Sequence, residues 1–403
     1  MLNSHPPKIL CTWEMGGHLG HITRLADITE CLNRKGYSTQ VALKDLSKAH
    51  NLFKHSPTEL LQAPLWLPKI TMQRPIVCLA DVLLLTGYLS ADELMGPVRA
   101  WKTLLNQSQP DLMLFDYSPT AMLAAAHLDI PKIMIGTGFS EPVAGRPMAD
   151  WRPFPTQDDL VARQEARVLE VVNEVLVNTD CTPLEHLTDL FAADRMILTV
   201  TPDFDVYNGA RNNVRCHVLK KHPAQSKPAH FGPAPGPKIL AYLKQNHPGQ
   251  DAIIKALANH PANIFVASPN GNAAQFTPYV SDSFRFSTDV VALEPSMAEA
   301  DLFIGHGNSA STMESLLNGL PCVVLPIQLE QLLIGLKVEE LGVGVLINKV
   351  EGEPQFRTQL DQALASTTLR EKTTEYAHRH RSLTEGTLGD LLVRECSELL
   401  NRS

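Results

Sequence analysis

Residues 300–319 read ADLFIGHGNSASTMESLLNG and carry the clearest strand–turn–helix pattern in the chain. The apolar run Leu302-Phe303-Ile304 predicts a buried parallel strand, and a turn of small and polar residues follows it. A helix pattern then ends at Gly319, and the next apolar run begins immediately at Cys322. Together these features predict a βαβ unit.

The turn after this strand has the chemistry of an anion site. A turn this small lets an anion approach the backbone amides at the helix N-terminus, where the helix dipole is positive. His306 would lie at the carboxyl end of the strand, where open α/β sheets bind ligands. Glu314 follows in the helix and could accept hydrogen bonds from a ribose. The segment therefore predicts a site for a nucleoside diphosphate.

The spacing of these residues resembles the donor-site signature of family 1 glycosyltransferases with the GT-B fold. In that family the pattern reads roughly HGGxxSTxEAL, followed by a proline and then by an acidic residue and glutamine. This chain has Asn308 in place of the second glycine, and Glu330 in place of the commoner aspartate. The spacing is kept, with Pro326 at the position of the proline, and neither departure removes a predicted ligand.

For the diphosphate, the resemblance implies a site that needs neither a metal nor a cofactor beyond the nucleotide sugar. His306, the amides around Ser311 and Thr312, and the helix dipole would carry the charge that develops as the diphosphate leaves. The alternative for His306 is a buried histidine bonded to backbone groups.

For the rest of the donor, the resemblance assigns the ribose to Glu314 and the sugar hydroxyls to Glu330 and Gln331. Backbone around Leu293 would face the base, but Ser296 stands where the family commonly has glutamine, so the base is left open. Glu330 could instead be a solvated residue at a helix start. The predicted donor-binding residues are His306, Gly307, Asn308, Ser309, Ser311, Thr312, Glu314, Glu330, Gln331 and Leu293.

Composition and charge set the broad class of protein. A chain of 403 residues with 44% apolar and 19% charged residues can form two domains with full cores. A formal charge of −8 argues against nucleic acid as the main partner, because no basic surface is available to displace counterions. The seven cysteines contain no CxxC pair, which favours reduced thiols and a cytoplasmic location. No signal peptide is evident, and a peripheral contact with the inner face of a membrane is left open.

The N-terminal half begins with a Rossmann-like pattern. Residues 8–13 predict a strand, which runs into the glycine-rich turn EMGGHLGH and a helix from about Ile22. The turn is not the dinucleotide fingerprint. A later strand, at 110–116, would place Asp116 at its carboxyl end.

This half also resembles family 1. His21, not His18, matches the histidine that begins the first helix of those enzymes, because its distance to Leu32 is the same. The resemblance implies that His21 is the catalytic base and that Asp116 pairs with it. Such a carboxylate fixes the tautomer of the ring and stabilises the imidazolium. The alternative is that His21 caps its helix and Asp116 begins a turn.

Five prolines between residues 220 and 238 predict a linker without regular structure. The resulting architecture is α/β, of the GT-B type, with two Rossmann-like domains whose parallel sheets face each other across a cleft. The predicted parts are an acceptor-binding domain (1–219), the linker (220–237), a nucleotide-sugar-binding domain (238–385) and a C-terminal helix (386–403) that packs back on the first domain.

The resemblance implies an inverting, metal-independent glycosyltransferase. It would move a sugar from UDP or dTDP to a hydroxyl of a small apolar or lipid-linked acceptor. Two alternatives stay open: a nucleotide-sugar epimerase with the GT-B fold, and a non-catalytic GT-B protein that activates a partner transferase. The identities of acceptor and sugar, and the oligomeric state, do not follow from the sequence.

Overall fold

The chain divides into two units. The first comprises Met1–His217 with Gly386–Ser403, and the second is Val218–Glu385. His18, residue 219 and residues 220–226 of the predicted linker lie outside the described residues. The computed structural model describes residues 5–17, 19–154, 156–207, 211–218, 227–245 and 247–401.

The first unit is built on a seven-stranded sheet in which every neighbouring pair is parallel. Its order is β3-β2-β1-β4-β5-β6-β7, so the direction of strand addition reverses between β1 and β4. The carboxyl ends of strands at such a reversal form a crevice that commonly binds ligands. The strands are β1 (Lys8–Trp13), β2 (Ser38–Leu43), β3 (Glu59–Gln62), β4 (Leu112–Asp116), β5 (Lys132–Gly136), β6 (Arg195–Leu198) and β7 (Val214–Cys216).

In the described part of this unit, α-helices accompany the sheet before the chain passes to the second unit. They are α1 (Leu19–Arg34), α2 (Ala49–Phe53), α3 (Leu79–Leu84), α4 (Ala91–Ser108), α5 (Pro119–Ala124) and α6 (Leu160–Val177). The first helix begins at Leu19, slightly before the predicted start at Ile22. No helix in the described part of the chain combines the length and apolar composition needed to cross a membrane.

The second unit contains a six-stranded parallel sheet of order β11-β10-β9-β13-β14-β15, and a separate pair of two-residue strands, β8 and β12. The strands are β8 (Lys227–Pro228), β9 (Lys238–Tyr242), β10 (Asn263–Ala267), β11 (Phe284–Ser287), β12 (Val291–Ala292), β13 (Leu302–Gly305), β14 (Cys322–Val324) and β15 (Gly344–Leu346). The helices are α7 (Gln250–Ala258), α8 (Leu293–Met297), α9 (Ser309–Leu317), α10 (Leu329–Leu341), α11 (Glu353–Ala365) and α12 (Thr367–Arg379).

The core of this unit lies between its sheet and the helices α7 and α11. Ile239, Ile264 and Ile304 come from three adjacent strands, and they pack in one buried cluster with Ile253 of α7 and Phe356 of α11. The βαβ pattern at 300–325 appears as β13, α9 and β14, so the sharp turn after Ile304 lies at the carboxyl edge of the sheet.

The apolar run at 290–293 forms only the two-residue strand β12, because Leu293 begins a helix. A short apolar run cannot be distinguished from a helix start by periodicity. The prediction that the proline-rich segment lacks regular structure is wrong, because β8 pairs with β12. Ser296 holds the pair together, since its Oγ accepts from the Ala229 amide at 2.7 Å and donates to the Ala292 carbonyl at 2.5 Å.

The helix α13 (Leu388–Leu400) belongs to the first unit, where it packs against α1. Its buried Glu395 carboxylate accepts a hydrogen bond from Arg195 Nε of β6 at 2.6 Å and one from Arg215 Nε of β7 at 2.9 Å. Gly389 lies directly against Cys31 of α1, and an added Cβ would be 2.2 Å from the Cys31 Sγ. This helix therefore joins β6 and the edge strand β7 to the first helix of the unit.

Candidate functional site

His21 and Asp116 meet at the carboxyl edge of the first sheet. Asp116 ends β4 and lies beside Trp13, the last residue of β1, while His21 lies in the first turn of α1. Their Nδ1 and Oδ1 atoms are 2.8 Å apart. Because a carboxylate only accepts hydrogen bonds, this contact places a proton on Nδ1 and a lone pair on Nε2 of a neutral ring. The two residues predicted to form a dyad are thus in contact.

Arg24 is a third member of this group that the sequence analysis missed. Its Nη2 donates to both oxygens of Asp116, at 2.6 and 2.7 Å, and its Nε donates to Oδ2 at 3.0 Å. Burial alone would raise the pKa of the Asp116 carboxyl, but Arg24 and His21 lower it to about 2. The spacing was the available signal, since a residue three positions after His21 lies on the same helix face.

The His21 ring is held by the turn that precedes it. Trp13 stacks on the ring with a centroid distance of 5.3 Å. Gly16 has a φ of +77°, and an added Cβ would lie 2.9 Å from His21 Nε2. A larger residue at this position would be strained and would also crowd the nitrogen that carries the lone pair. The turn thus fixes the ring and leaves its outer edge open.

The Glu14 side chain, directly after β1, is bonded to backbone amides. Its carboxylate is buried and accepts from the backbone amides of Thr120 and Ala121, at 3.1 and 2.5 Å, at the start of α5. Burial raises the pKa of Glu14 to about 8, against the opposing effect of these hydrogen bonds. Within the described residues, no group of three or more His, Cys, Asp or Glu side chains is arranged to hold a metal ion.

His306, in the second unit, is fully buried at the carboxyl end of β13. Its Nδ1–H donates to the Leu325 carbonyl at 2.8 Å, and its Nε2 accepts from the Lys244 amide at 2.8 Å. Burial lowers the pKa of His306 to about 4, assisted by the charges of His247 and Lys244. This is the alternative arrangement of a histidine bonded to backbone, and direct contact with a diphosphate would require Nε2 to give up the Lys244 amide. That contact stays a prediction.

The burial of His306 predicts a pH effect on stability. Because its folded pKa of about 4 lies below the ordinary value of 6.5, its contribution is fully present above pH 6.5 and is lost as the pH falls toward 4. We expect His306→Asn, which retains a donor for Leu325, to show a smaller loss of unfolding free energy between pH 7 and pH 5 than the wild type. Urea denaturation at both pH values measures the free energy of unfolding. An equal loss in the two proteins between pH 7 and pH 5 would contradict the prediction.

The turn that follows His306 is tightly packed against α10. Gly307 has a φ of +79°, and an added Cβ would lie 2.7 Å from the Gln331 carbonyl oxygen. Asn308 is the N-cap residue of α9, but its side chain makes no capping hydrogen bond. Ser309 and Ser311 lie in the first turn of that helix, where the leading amides have no partner within the helix itself. The Thr312 amide already donates to the Asn308 carbonyl at 3.0 Å, so its predicted contact with a diphosphate stays a prediction.

The remaining predicted donor ligands occupy different positions around this turn. Glu314 is buried within α9, while Glu330 is half-buried in the first turn of α10. Gln331 is buried beside it, and both ends of its amide are bonded within the unit, to Asn308 and to Ile327. Leu293 is half-buried at the start of α8. The sugar, ribose and base contacts assigned to these residues stay predictions.

Glycosyltransferases are found among the known proteins that are similar to this chain in sequence and in structure. No family model matches the chain. It is 43% identical over 84 residues to the NDP-glycosyltransferase YjiC of Bacillus subtilis, a match that covers 21% of each protein. It is 22% identical over 273 residues to a PGL/p-HBAD biosynthesis glycosyltransferase of Mycobacterium tuberculosis, covering 62% of each. The match thus spans about a fifth of the length of the B. subtilis relative and about three fifths of the length of the M. tuberculosis relative.

Solved structures match over almost the whole chain. The calicheamicin glycosyltransferase CalG4 superposes with a TM-score of 0.72 at 18% identity, covering 99% of both chains. The glycosyltransferase VinC, in a complex with dTDP, superposes with a TM-score of 0.64 at 12% identity, covering 98% of this chain and all of VinC. The predicted α/β fold class is confirmed by these matches and by the two parallel sheets: this chain has the GT-B fold of these glycosyltransferases.

Proposed function

We propose that this chain is an inverting glycosyltransferase that moves a sugar from a nucleoside diphosphate to an acceptor hydroxyl without a metal ion. The observation that carries the proposal is the contact of His21 with the Asp116 carboxylate, which Arg24 holds in place. In the neutral form of the ring, this contact leaves the lone pair on Nε2, at the edge of a parallel sheet where ligands commonly bind. A base of this kind is what attack by an alcohol requires.

In the proposed reaction, His21 Nε2 takes the proton of the acceptor hydroxyl as its oxygen attacks the anomeric carbon. The bond between that carbon and the diphosphate oxygen breaks on the opposite face, and the electron pair leaves with the nucleoside diphosphate. A single displacement of this kind inverts the anomeric configuration. Asp116 stabilises the imidazolium that forms, and the leading amides of α9 stabilise the charge on the departing diphosphate.

UDP or dTDP is the proposed form of the donor nucleotide. The first turn of α9 offers backbone amides at the positive end of a helix dipole, and Glu314 follows in the same helix. The relative from B. subtilis is named an NDP-glycosyltransferase, and VinC was solved with dTDP, which agrees with a nucleoside diphosphate at this position.

The proposed acceptor is a small apolar or lipid-linked molecule. A cavity of about 360 Å³ in the first unit is of the size that ligand sites commonly have. Half of its lining residues are apolar (Ile70, Met72, Leu84, Leu85 and Leu89), and Arg74 and Arg167 add two cationic groups. Leu67 and Phe154, which are 78% and 76% exposed, could contact a membrane surface that presents a lipid-linked acceptor.

A binding screen followed by an activity screen tests this function. The full chain is first heated with UDP, dTDP or GDP, and a true ligand should raise the melting temperature as its concentration exceeds Kd; 100-fold excess corresponds to about 2.7 kcal/mol. An array of sugar donors and apolar alcohols, read by mass spectrometry, should then give a product heavier by one sugar. Conversion of the donor without an acceptor would point to an epimerase. Nucleotide binding without turnover across the array would point to a non-catalytic protein.

A further inference from the structure

The side chain of Gln331 is committed to two neighbours in the second unit. It is 1% exposed, its Nε2 donates to Asn308 Oδ1 at 2.9 Å, and its Oε1 accepts from the Ile327 amide at 2.9 Å. In this arrangement both ends of the amide are used by the turn before α9 and by the turn before α10. The group is thus placed as a bridge between two turns of the protein.

Asn308 has an unusual relation to its own helix. It is the N-cap residue of α9 and has the extended backbone of an N-cap, with φ −66° and ψ 128°. Asparagine is among the strongest capping residues, because its side-chain oxygen readily accepts from the second or third amide of the helix. Here that capping bond is not made, and the side-chain oxygen accepts from Gln331 instead.

We propose that Gln331 is a positioning residue that holds the Asn308 side chain away from the N-terminus of α9. Without this hold, the Asn308 oxygen would accept from the leading amides of its own helix, which are the groups that the proposed function assigns to the diphosphate. The side chain and the ligand would then compete for the same donors. The inference rests on the proposed function and assigns Gln331 a role different from contact with the sugar.

The departure of this chain from the family pattern explains why such a hold is needed. A glycine at position 308, as the resemblance describes, has no side chain that could cap the helix. With Asn308 in its place, the helix carries its own competing acceptor within reach of the anion site. The turn has little room to move away from the helix, because the Gly307 backbone already packs against the Gln331 carbonyl.

The first test measures the affinity of the full chain for UDP and dTDP alone, by calorimetry, in Gln331→Met and in the wild type. We expect Kd to rise about three- to tenfold, as when one capping hydrogen bond competes with a ligand. Gln328→Met is the matched control, because Gln328 is exposed at the N-cap of α10 and makes no capping bond. Its Kd should stay that of the wild type.

Substitutions at Asn308 separate the effect of the Gln331–Asn308 hydrogen bond from that of the Gln331–Ile327 hydrogen bond. The double variant Gln331→Met/Asn308→Ala should bind UDP or dTDP more tightly than Gln331→Met, because alanine cannot cap the helix. In the wild-type background, Asn308→Ser should bind about three- to tenfold more weakly than Asn308→Ala, since serine caps well but is too short to reach Gln331. This pair tests the inference even if Gln331→Met fails to fold.

Three results would overturn the inference alone: an unchanged Kd in Gln331→Met, no recovery in the double variant, or equal Kd values for Asn308→Ser and Asn308→Ala. A loss confined to the nucleotide sugar, with binding of the free diphosphate unaffected, would also overturn it and would assign Gln331 to the sugar. If the wild type binds neither nucleotide, the proposed function itself fails together with the inference.

Discussion

Replacing His21 with alanine is expected to lower kcat by about 10²–10⁴-fold, the range that general-base catalysis supplies. The Kd for UDP or dTDP should change by less than about twofold, because the proposed nucleotide site is built from residues of the other unit. Of the described residues that contact the ring, Trp13 stacks on it and Arg24 offers only donors, so neither can replace Nε2 as a base. Single-turnover kinetics with the best donor and acceptor pair measures the effect.

The matched control for this experiment is His50→Ala, at an exposed position of α2 in the same unit. It should retain the kcat of the wild type. Full turnover in His21→Ala would remove the proposed base and would favour the reading in which His21 only begins its helix. Loss of nucleotide binding in His21→Ala would show that the substitution acts through the fold.

Replacing Arg24 with methionine is expected to lower the free energy of unfolding by about 3–5 kcal/mol, the usual cost of removing one partner of a buried ion pair. Asp116 is 1% exposed, and Arg24 supplies three of its short hydrogen bonds. Because the folded pKa of Asp116 is about 2, below its ordinary 3.8, the contribution of the pair is present above pH 4 and is lost as the pH falls toward 2. Urea denaturation at pH 7 measures the loss.

Two further variants make this prediction specific. Arg34→Met, at the exposed end of the same helix, should leave the free energy of unfolding close to that of the wild type. The double variant Arg24→Met/Asp116→Leu should recover much of the stability, because no charge is then left buried without its partner. It should still lack turnover. A double variant no more stable than Arg24→Met would contradict the ion-pair explanation.

The sequence predicted those parts of the fold that carry strong periodic signals. The segment 300–325 gave β13, α9 and β14 because a buried strand, a sharp turn and an amphipathic helix follow one another without interruption. The edge strands β3 and β11 were missed, since the first is mostly exposed and the second only partly buried, so neither shows a continuous apolar run.

The site was less accessible to sequence reasoning than the fold. The resemblance placed His21 and Asp116, which the structure brings into contact, but it carried no information on Arg24. The bonding of His306 and Gln331 could not be predicted, because their partners include the Leu325 carbonyl and the amides of Lys244 and Ile327. Almost every residue carries the same backbone amide and carbonyl, so the residue types do not show which of these groups a side chain will bond.

The ion pair of Glu395 with Arg195 can form only late in the synthesis of this protein. Arg195 is buried in the first unit, and its partner Glu395 lies 200 residues further along the chain. By the time that partner leaves the ribosome, all of residues 218–385 have been translated. A nascent chain stalled before α13 would carry a cation with no counter-charge in an otherwise assembled sheet, a state that chaperones and proteases would encounter before the finished molecule exists.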